Sequence, residues 1–250
     1  MVSRKALIIG SPDEKIPGVK VDVKALNDYL KSPIGGLWFD FEIMVLMSPS
    51  TSTLRNQISQ LKLRDYSLVF FGGHGYYSAE RKRNILKINP NEEFDSLELR
   101  AGAIKHTLIL DCCRKVESER RLSESVTKAM TLDSVSGQTL NPSRCRSYFD
   151  QAISQCDNGL VVMNACSIGE VANENDKDGG YYTSSLIDAN EQWARRMLST
   201  VNVTNSPSTF STQNSHNAAT ERVRLLSGGR QTPSFEAPRA ERRFPFTVVA

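Results

Sequence analysis

An α/β fold, a mostly parallel sheet covered by helices on both faces, is what this sequence predicts, on two observations. Apolar runs of strand length alternate with helical stripes, the pattern of parallel strands joined by crossovers. Two of those runs stop abruptly at reactive side chains, Phe70-Phe71-Gly72-Gly73-His74-Gly75 and Leu108-Ile109-Leu110-Asp111-Cys112-Cys113. An α/β sheet delivers chemistry to the carboxyl edge of its strands in this way.

Lys5 to Gly10 is a short apolar strand, and Val19, Val23, Leu26 and Leu30 then recur at helical spacing. Phe41 to Met47 reads as the second strand. Ser50, Thr51 and Ser52 offer a cap to a helix carrying Leu54, Ile58 and Leu61, and Tyr66 to Phe71 is the third strand. Thr107 to Asp111, Leu160 to Ala165 and Phe244 to Val249 complete a set of six. The stretch from Arg114 to Asn158 is too long for an ordinary connection, and Ser199 to Asn217 is rich in Ser, Thr and Asn, so both read as mobile surface segments. Ala219, Val223 and Leu226 afterwards resume a helix that ends at Gly228-Gly229.

The chain has 250 residues, 39% hydrophobic and 24% charged, enough to bury one substantial core as a single domain, residues 1–250. The net charge is +3, from 31 basic and 28 acidic residues, interleaved in stretches such as Arg114 to Lys128, so there is no nucleic-acid footprint. The five cysteines lack zinc-site spacing and disulfide-scaffold density, which predicts no metal and no cofactor. The first strand begins by about Arg4, and no apolar run approaches about 18 residues. A reducing, cytoplasmic setting with no membrane partner is therefore the expectation. Gly10-Ser11-Pro12 after the first strand lacks a phosphate-cradling glycine pattern, which sets nucleotide binding aside.

A cysteine attacks as its thiolate, and a neighbouring imidazole favours that species near neutral pH. His74 and Cys113 meet if their two strands are neighbours, and the interval between them has room for one crossover and one surface loop. Alternation along a strand sends Cys112 and Cys113 to opposite sides, with Cys113 the exposed one. Cys112, Cys145, Cys156 and Cys166 read as small core hydrophobes. His106 and His216 lack the glycine-flanked strand end that singles out His74, while Gly72 and Gly73 read as turn formers.

These residues resemble the caspase-fold cysteine peptidases of clan CD, above all the short bacterial caspase-like and metacaspase-type proteins. The resemblance rests on Lys5-Ala6-Leu7-Ile8-Ile9-Gly10, Gly73-His74-Gly75 and Asp111-Cys112-Cys113. It continues through Asn164-Ala165-Cys166-Ser167, with Glu170 and Glu174 following, then Gly179-Gly180-Tyr181-Tyr182-Thr183. Gln231-Thr232-Pro233 ahead of Phe244-Pro245-Phe246 completes it. It implies a three-layer α/β/α sandwich around a mostly parallel six-stranded sheet. The large-subunit-like part would span 1–115, a linker about 116–158, and the small-subunit-like part 159–250.

Carried over residue by residue, His74 matches the catalytic histidine and Cys113 the nucleophile. The backbone N–H groups of Gly75 and Cys113 match the oxyanion donors. Members that cut after Arg or Lys carry an acid two places before the nucleophile and another at the start of the first helix, and Asp111 and Asp22 match them. Two carboxylates at one cleft make physical sense if a substrate guanidinium completes the site. The plainer readings are a helix-start carboxylate favoured by the dipole for Asp22, and a loop-ordering role for Asp111.

The resemblance thus implies an endopeptidase cleaving a protein after Arg, then Lys, as a prokaryotic defence or cell-death effector, for example one that activates a gasdermin-like pore former. A catalytically silent interaction module, or a zymogen awaiting a regulatory protein, is the alternative. A second copy of the chain is a further candidate partner, paired through the last strand. Arg120, Arg121, Lys128, Arg144 and Arg146 are candidate self-cleavage points in the linker. The chain departs from the metacaspase pattern after the nucleophile, where Arg114-Lys115-Val116 stand. Glu170, Glu174, Asp176 and Asp178 form no EF-hand pattern and read as a solvated acidic turn.

Overall fold

The computed structural model of the chain describes residues 2–116, 140–175, 177–203 and 205–250. The strands, in chain order, are β1 (Arg4–Ser11), β2 (Ile43–Met47), β3 (Tyr66–Gly73), β4 (Gly75–Ser78), β5 (Arg83–Asn89), β6 (Glu92–Asp95), β7 (Lys105–Asp111), β8 (Gly159–Asn164), β9 (Glu174–Asn175), β10 (Gly179–Gly180), β11 (Ser208–Ser211), β12 (Ser234–Glu236) and β13 (Pro245–Val249). The helices are α1 (Val19–Lys31), α2 (Thr51–Leu61), α3 (Pro142–Ser154), α4 (Tyr181–Thr200) and α5 (Thr212–Leu226).

A six-stranded sheet in the order β12-β8-β7-β3-β1-β2 is the centre, parallel except for β12 at one edge. Strand alternation sends its apolar side chains to two cores. Ala6, Ile8, Phe70, Ile109 and Met163 face α1, α3, α4 and α5. Leu7, Ile9, Val69, Phe71, Leu108 and Leu110 face Leu54, Ile58 and Leu61 of α2 and the antiparallel sheet β4-β5-β6, which adds Leu86, Ile88 and Phe94. Each large side chain so buried contributes about 1.5–3 kcal/mol of transfer free energy. Every residue of β3 is buried, because it lies between β1 and β7 with both faces covered.

The first two helices form where their stripes predict. Ser50 caps α2, its Oγ accepting from Thr53 N–H at 3.2 Å. Within the stretch expected to be mobile, α3 starts on an Asn141 cap with Pro142 in its first turn, and packs Cys145, Phe149 and Ile153 inward. The polar stretch 199–217 likewise carries regular elements among its described residues: α4 reaches Thr200, β11 follows, and Ser211 Oγ caps α5 by accepting from Asn214 N–H at 3.2 Å.

One strand that the sequence predicts pairs outside the central sheet. Pro245–Val249 is extended and wholly buried, yet it pairs antiparallel with β11, outside the central sheet. The free edge of β8 is taken instead by Ser234–Glu236, three residues too short to carry a periodic signal. The exposed edge of the central sheet on that side belongs to β12. Among the described residues, no helix is long and apolar enough to cross a membrane.

Candidate active site

The register brings the two reactive strand ends together. β3 and β7 run parallel from Tyr66 beside Lys105 to Gly72 beside Asp111, so His74 and Cys113 each lie two residues beyond that last pair. The segments stay side by side past the sheet, where Tyr77 N–H donates to the Lys115 carbonyl at 2.9 Å. Between them the main chain is in contact: a Cβ on Gly75 would lie 2.9 Å from Cys112 Sγ and 3.2 Å from the Cys113 carbonyl oxygen. Only glycine fits at that approach.

Cys112 is buried in the α2-side core, whereas Cys113 is half-buried. The Cys113 thiol donates to the Ala172 carbonyl at 3.7 Å, and burial pushes it above its ordinary thiol pKa. Its neighbour on the other strand, His74, is half-exposed, with Nε2 2.9 Å from Asp13 Oδ2. Among the described residues no hydrogen bond joins His74 to Cys113 directly. The other two histidines are structural. His106 is fixed by Ser67 and by donating Nε2–H to the Leu99 carbonyl at 2.9 Å, and burial lowers its pKa. His216 meets the Tyr182 hydroxyl at 2.7 Å, and burial holds it down at about 4.

Behind the cysteine lies an acidic pair. Asp22, from the first turn of α1, is 3% exposed, and Asp111, the last residue of β7, is 7% exposed. Both oxygens of Asp22 accept from Gly180 N–H, at 2.9 and 3.0 Å. Asp111 Oδ2 accepts from Thr183 N–H at 3.1 Å and from its hydroxyl at 2.6 Å. The carboxylates flank one stretch of backbone, since a Cβ on Gly180 would sit 2.6 Å from Asp111 Oδ2 and 3.2 Å from Asp22 Oδ2. A Cβ on Gly179, at φ +79°, would overlap Asp22 Oδ1. The glycines match the shape of the pair.

Among the described residues, no Lys, Arg or His forms an ion pair with either aspartate. Burial, then repulsion from Asp111, pushes Asp22 well above the usual carboxylate range, and burial pushes Asp111 up to about 6. Glu174, half-buried, adds a third negative charge close enough to oppose ionisation of both Asp22 and Cys113.

Sequence reading missed several parts of this site. Glu170 and Glu174 are half-buried rather than solvated. Glu170 Oε2 accepts from Ser167 N–H at 3.1 Å and from Thr232 N–H at 2.6 Å. Gln231, fully buried, accepts from Asn173 N–H and donates to the Ala165 carbonyl, both at 2.9 Å, so the loop carrying Ala172 is pinned to the chain ahead of β12. Arg114 is a buried fastening just after Cys113: its guanidinium reaches Asn84 Oδ1, the Cys166 carbonyl and Ser234 Oγ, each at 3.1 Å.

Of the candidate processing points, Arg144 and Arg146 both lie in helix α3. Arg146 is buried, with Nη1 and Nη2 2.8 and 2.7 Å from the Glu42 carboxylate. A peptidase needs an extended, accessible segment, so Arg146 is not a cleavage point in this fold. Arg120, Arg121, Lys128 and Asp176 lie outside the described residues.

Comparison with known proteins agrees with the geometry. Residues 3–245 match the caspase domain family. No curated protein matches the chain. Among solved structures, caspase-1 from Spodoptera frugiperda superposes with a TM-score of 0.57 at 13% identity, over 94% of this chain and 86% of that one. That likeness concerns the fold alone, while the family match spans nearly the whole sequence. The chain therefore belongs to the caspase-domain family of cysteine peptidases.

Proposed function

We propose that the chain is a cysteine endopeptidase that cleaves a protein substrate after Arg, then Lys, with Cys113 as nucleophile and His74 as its acid–base partner. The observation that carries the specificity is the buried pair Asp22 and Asp111, which no cation of the described chain neutralises. A guanidinium entering between them would take the oxygens' remaining lone pairs in charge-assisted hydrogen bonds and relieve their mutual repulsion. Arg fits better than Lys because its planar fork serves two carboxylates at once.

The Cys113 thiolate attacks the scissile carbonyl, and the oxyanion is stabilised by the backbone N–H groups of Gly75 and Cys113. Losing one such donor costs about 2.7–4 kcal/mol of barrier. His74 protonates the leaving amine and then takes a proton from the deacylating water. A role in prokaryotic defence or cell death, with a gasdermin-like pore former as substrate, rests on the resemblance of the sequence to bacterial caspase-like proteins.

A second reading, a zymogen awaiting an activator, is favoured by two contacts. Ala172 accepts the Cys113 thiol proton, and Gly180 occupies the space beside both aspartates. Both residues belong to the connection between β8 and α4, so one displacement of that segment would free thiol and pocket together.

Hydrolysis of short fluorogenic peptides ending in Arg, Lys or Asp, by the wild type beside Cys113→Ala and Cys112→Ala, tests the proposal. Cleavage after Arg and Lys that disappears with Cys113→Ala and survives Cys112→Ala is the expected outcome. Cleavage after Asp would overturn the pocket assignment. Silence on every peptide favours the zymogen or the inert module.

A further inference from the structure

We infer that Asp13 is a positioning residue for His74, a third member of the site that sets which imidazole nitrogen does the chemistry. The inference rests on the reading of His74 as the acid–base residue. The topology puts the two side by side: β1 pairs with β3, Ser11 lies beside Gly73, and Asp13 and His74 follow just past the ends of those strands.

The carboxylate is held by its own turn. Asp13 Oδ1 accepts from Lys15 N–H at 2.8 Å and Ile16 N–H at 3.1 Å, an Asx turn that leaves Oδ2 to face His74 Nε2 at 2.9 Å. Partial burial opposes ionisation, but the Lys15 N–H and the imidazole outweigh it and hold the Asp13 carboxyl below its ordinary value. An ionised carboxylate only accepts. Nε2 must then carry the hydrogen, and Nδ1 is the nitrogen left to exchange a proton with Cys113 or the leaving amine.

Two further observations bear on what this contact does. His74 and Asp13 side chains are 36% and 47% exposed, so the pair adds little to stability and its loss should be read in activity instead of in melting temperature. Among the described residues, the His74 ring has no other hydrogen-bond partner, so its orientation depends on Asp13 alone. Holding one tautomer and one ring orientation is the service the buried aspartate of a serine-protease triad gives its histidine. Being exposed, Asp13 should contribute less than that buried counterpart.

The decisive variant is Asp13→Asn, which keeps an oxygen for the Asx turn and removes the charge, with Asp13→Ala beside it. The His74 tautomer is read from imidazole ¹⁵N shifts, together with kcat and KM on an Arg-ended peptide and the melting temperature. The expected wild-type signature is the Nε2–H tautomer, lost or mixed in both variants. In both, kcat should fall about tenfold or more, with KM changed by less than about twofold and Tm unchanged. An unchanged tautomer, or a kcat within about twofold of wild type, would overturn the inference. If the wild type cleaves none of the peptides, the reading of an active peptidase gives way to the zymogen or the inert module, and the kinetic arm is silent. The tautomer comparison then decides the Asp13–His74 coupling on its own.

Discussion

At the amino ends of the strands, Arg4 and Arg146 are buried against Glu42 and Asp150. At the carboxyl ends, Asp22 and Asp111 are buried against a backbone N–H and a threonine. The first cluster balances two cations with two carboxylates in charge, although Arg4 Nε and Nη1, Arg146 Nε and Asp150 Oδ1 have no hydrogen-bond partner among the described residues. Its guanidiniums also stack, Arg4 4.5 Å from the Trp38 ring centre and Arg146 4.0 Å from that of Phe39. The second leaves two carboxylates without a cation. Buried charge is costly unless paired, so a complete cluster reads as architecture and an incomplete one as a place for a ligand of opposite sign.

The largest effect should come from breaking the complete cluster. Glu42→Ala would leave Arg146 without its bidentate partner and Arg4 with Asp150 as its remaining ion-pair partner, a loss of about 3–5 kcal/mol of stability. For a domain of this size that lowers Tm by roughly 10 °C, measurable by calorimetry. A change under about 1 kcal/mol would mean that the two clusters do not differ in the way their contacts suggest.

Neutralising the incomplete cluster should do the opposite. Asp111→Asn can keep both hydrogen bonds from Thr183 while removing the repulsion on Asp22, and should stabilise the protein at pH 7 by on the order of 1–3 kcal/mol. The same variant should lose about a hundredfold or more in kcat/KM on Arg-ended peptides, since one partner of a buried charge pair is gone. Stability gained where activity is lost would mark a functional carboxylate; a loss of both would make Asp111 structural.

The pH dependence separates the ends by sign. Asp111 titrates at about 6 in the fold against an ordinary 3.8, so the folded state holds its proton more tightly. Its contribution is full below pH 3.8 and is lost as pH rises through about 6. Glu42 runs the other way. Burial opposes ionisation, but the hydrogen bonds from Arg146 win and hold its carboxyl below 4.5, so that contribution is present above pH 4.5 and fades on acidification. Urea titrations between pH 4 and 7 should show a falling component that Asp111→Asn removes and Glu42→Ala does not.

Much of this arrangement could be read from the chain. The strands with both faces covered announce themselves as apolar runs, and His74 and Cys113 stand out because each ends one. What stayed hidden depends on contacts distant in sequence. Helix α3 was obscured because its inner face includes Arg146 and Asp150, whose burial makes sense only beside Glu42 and Arg4. The pairing of β13 with β11 was invisible because a strand pattern reports extension and not partner. Arg114 looked like a departure from family pattern, and nothing local shows that Asn84, Cys166 and Ser234 converge on it. Asp13 sits in a plain polar turn, and only the pairing of β1 with β3 brings it to His74.

The smallest expected effect tests how the lone carboxylates survive without a cation. The Thr183 hydroxyl is the shortest hydrogen bond to Asp111 and holds its pKa below what burial alone would impose. Thr183→Val keeps the shape and the backbone N–H but removes that donor, at a stability cost of about 0.5–1.5 kcal/mol. With less support for the anion, Asp111 should titrate above about 6, and the window of falling stability should move to higher pH. Activity on Arg-ended peptides should follow the same shift and recover as pH is raised, because the guanidinium needs the ionised form. Activity lost equally at every pH would mean instead that Thr183 serves to place the start of α4, and that the pair is held by geometry more than by charge.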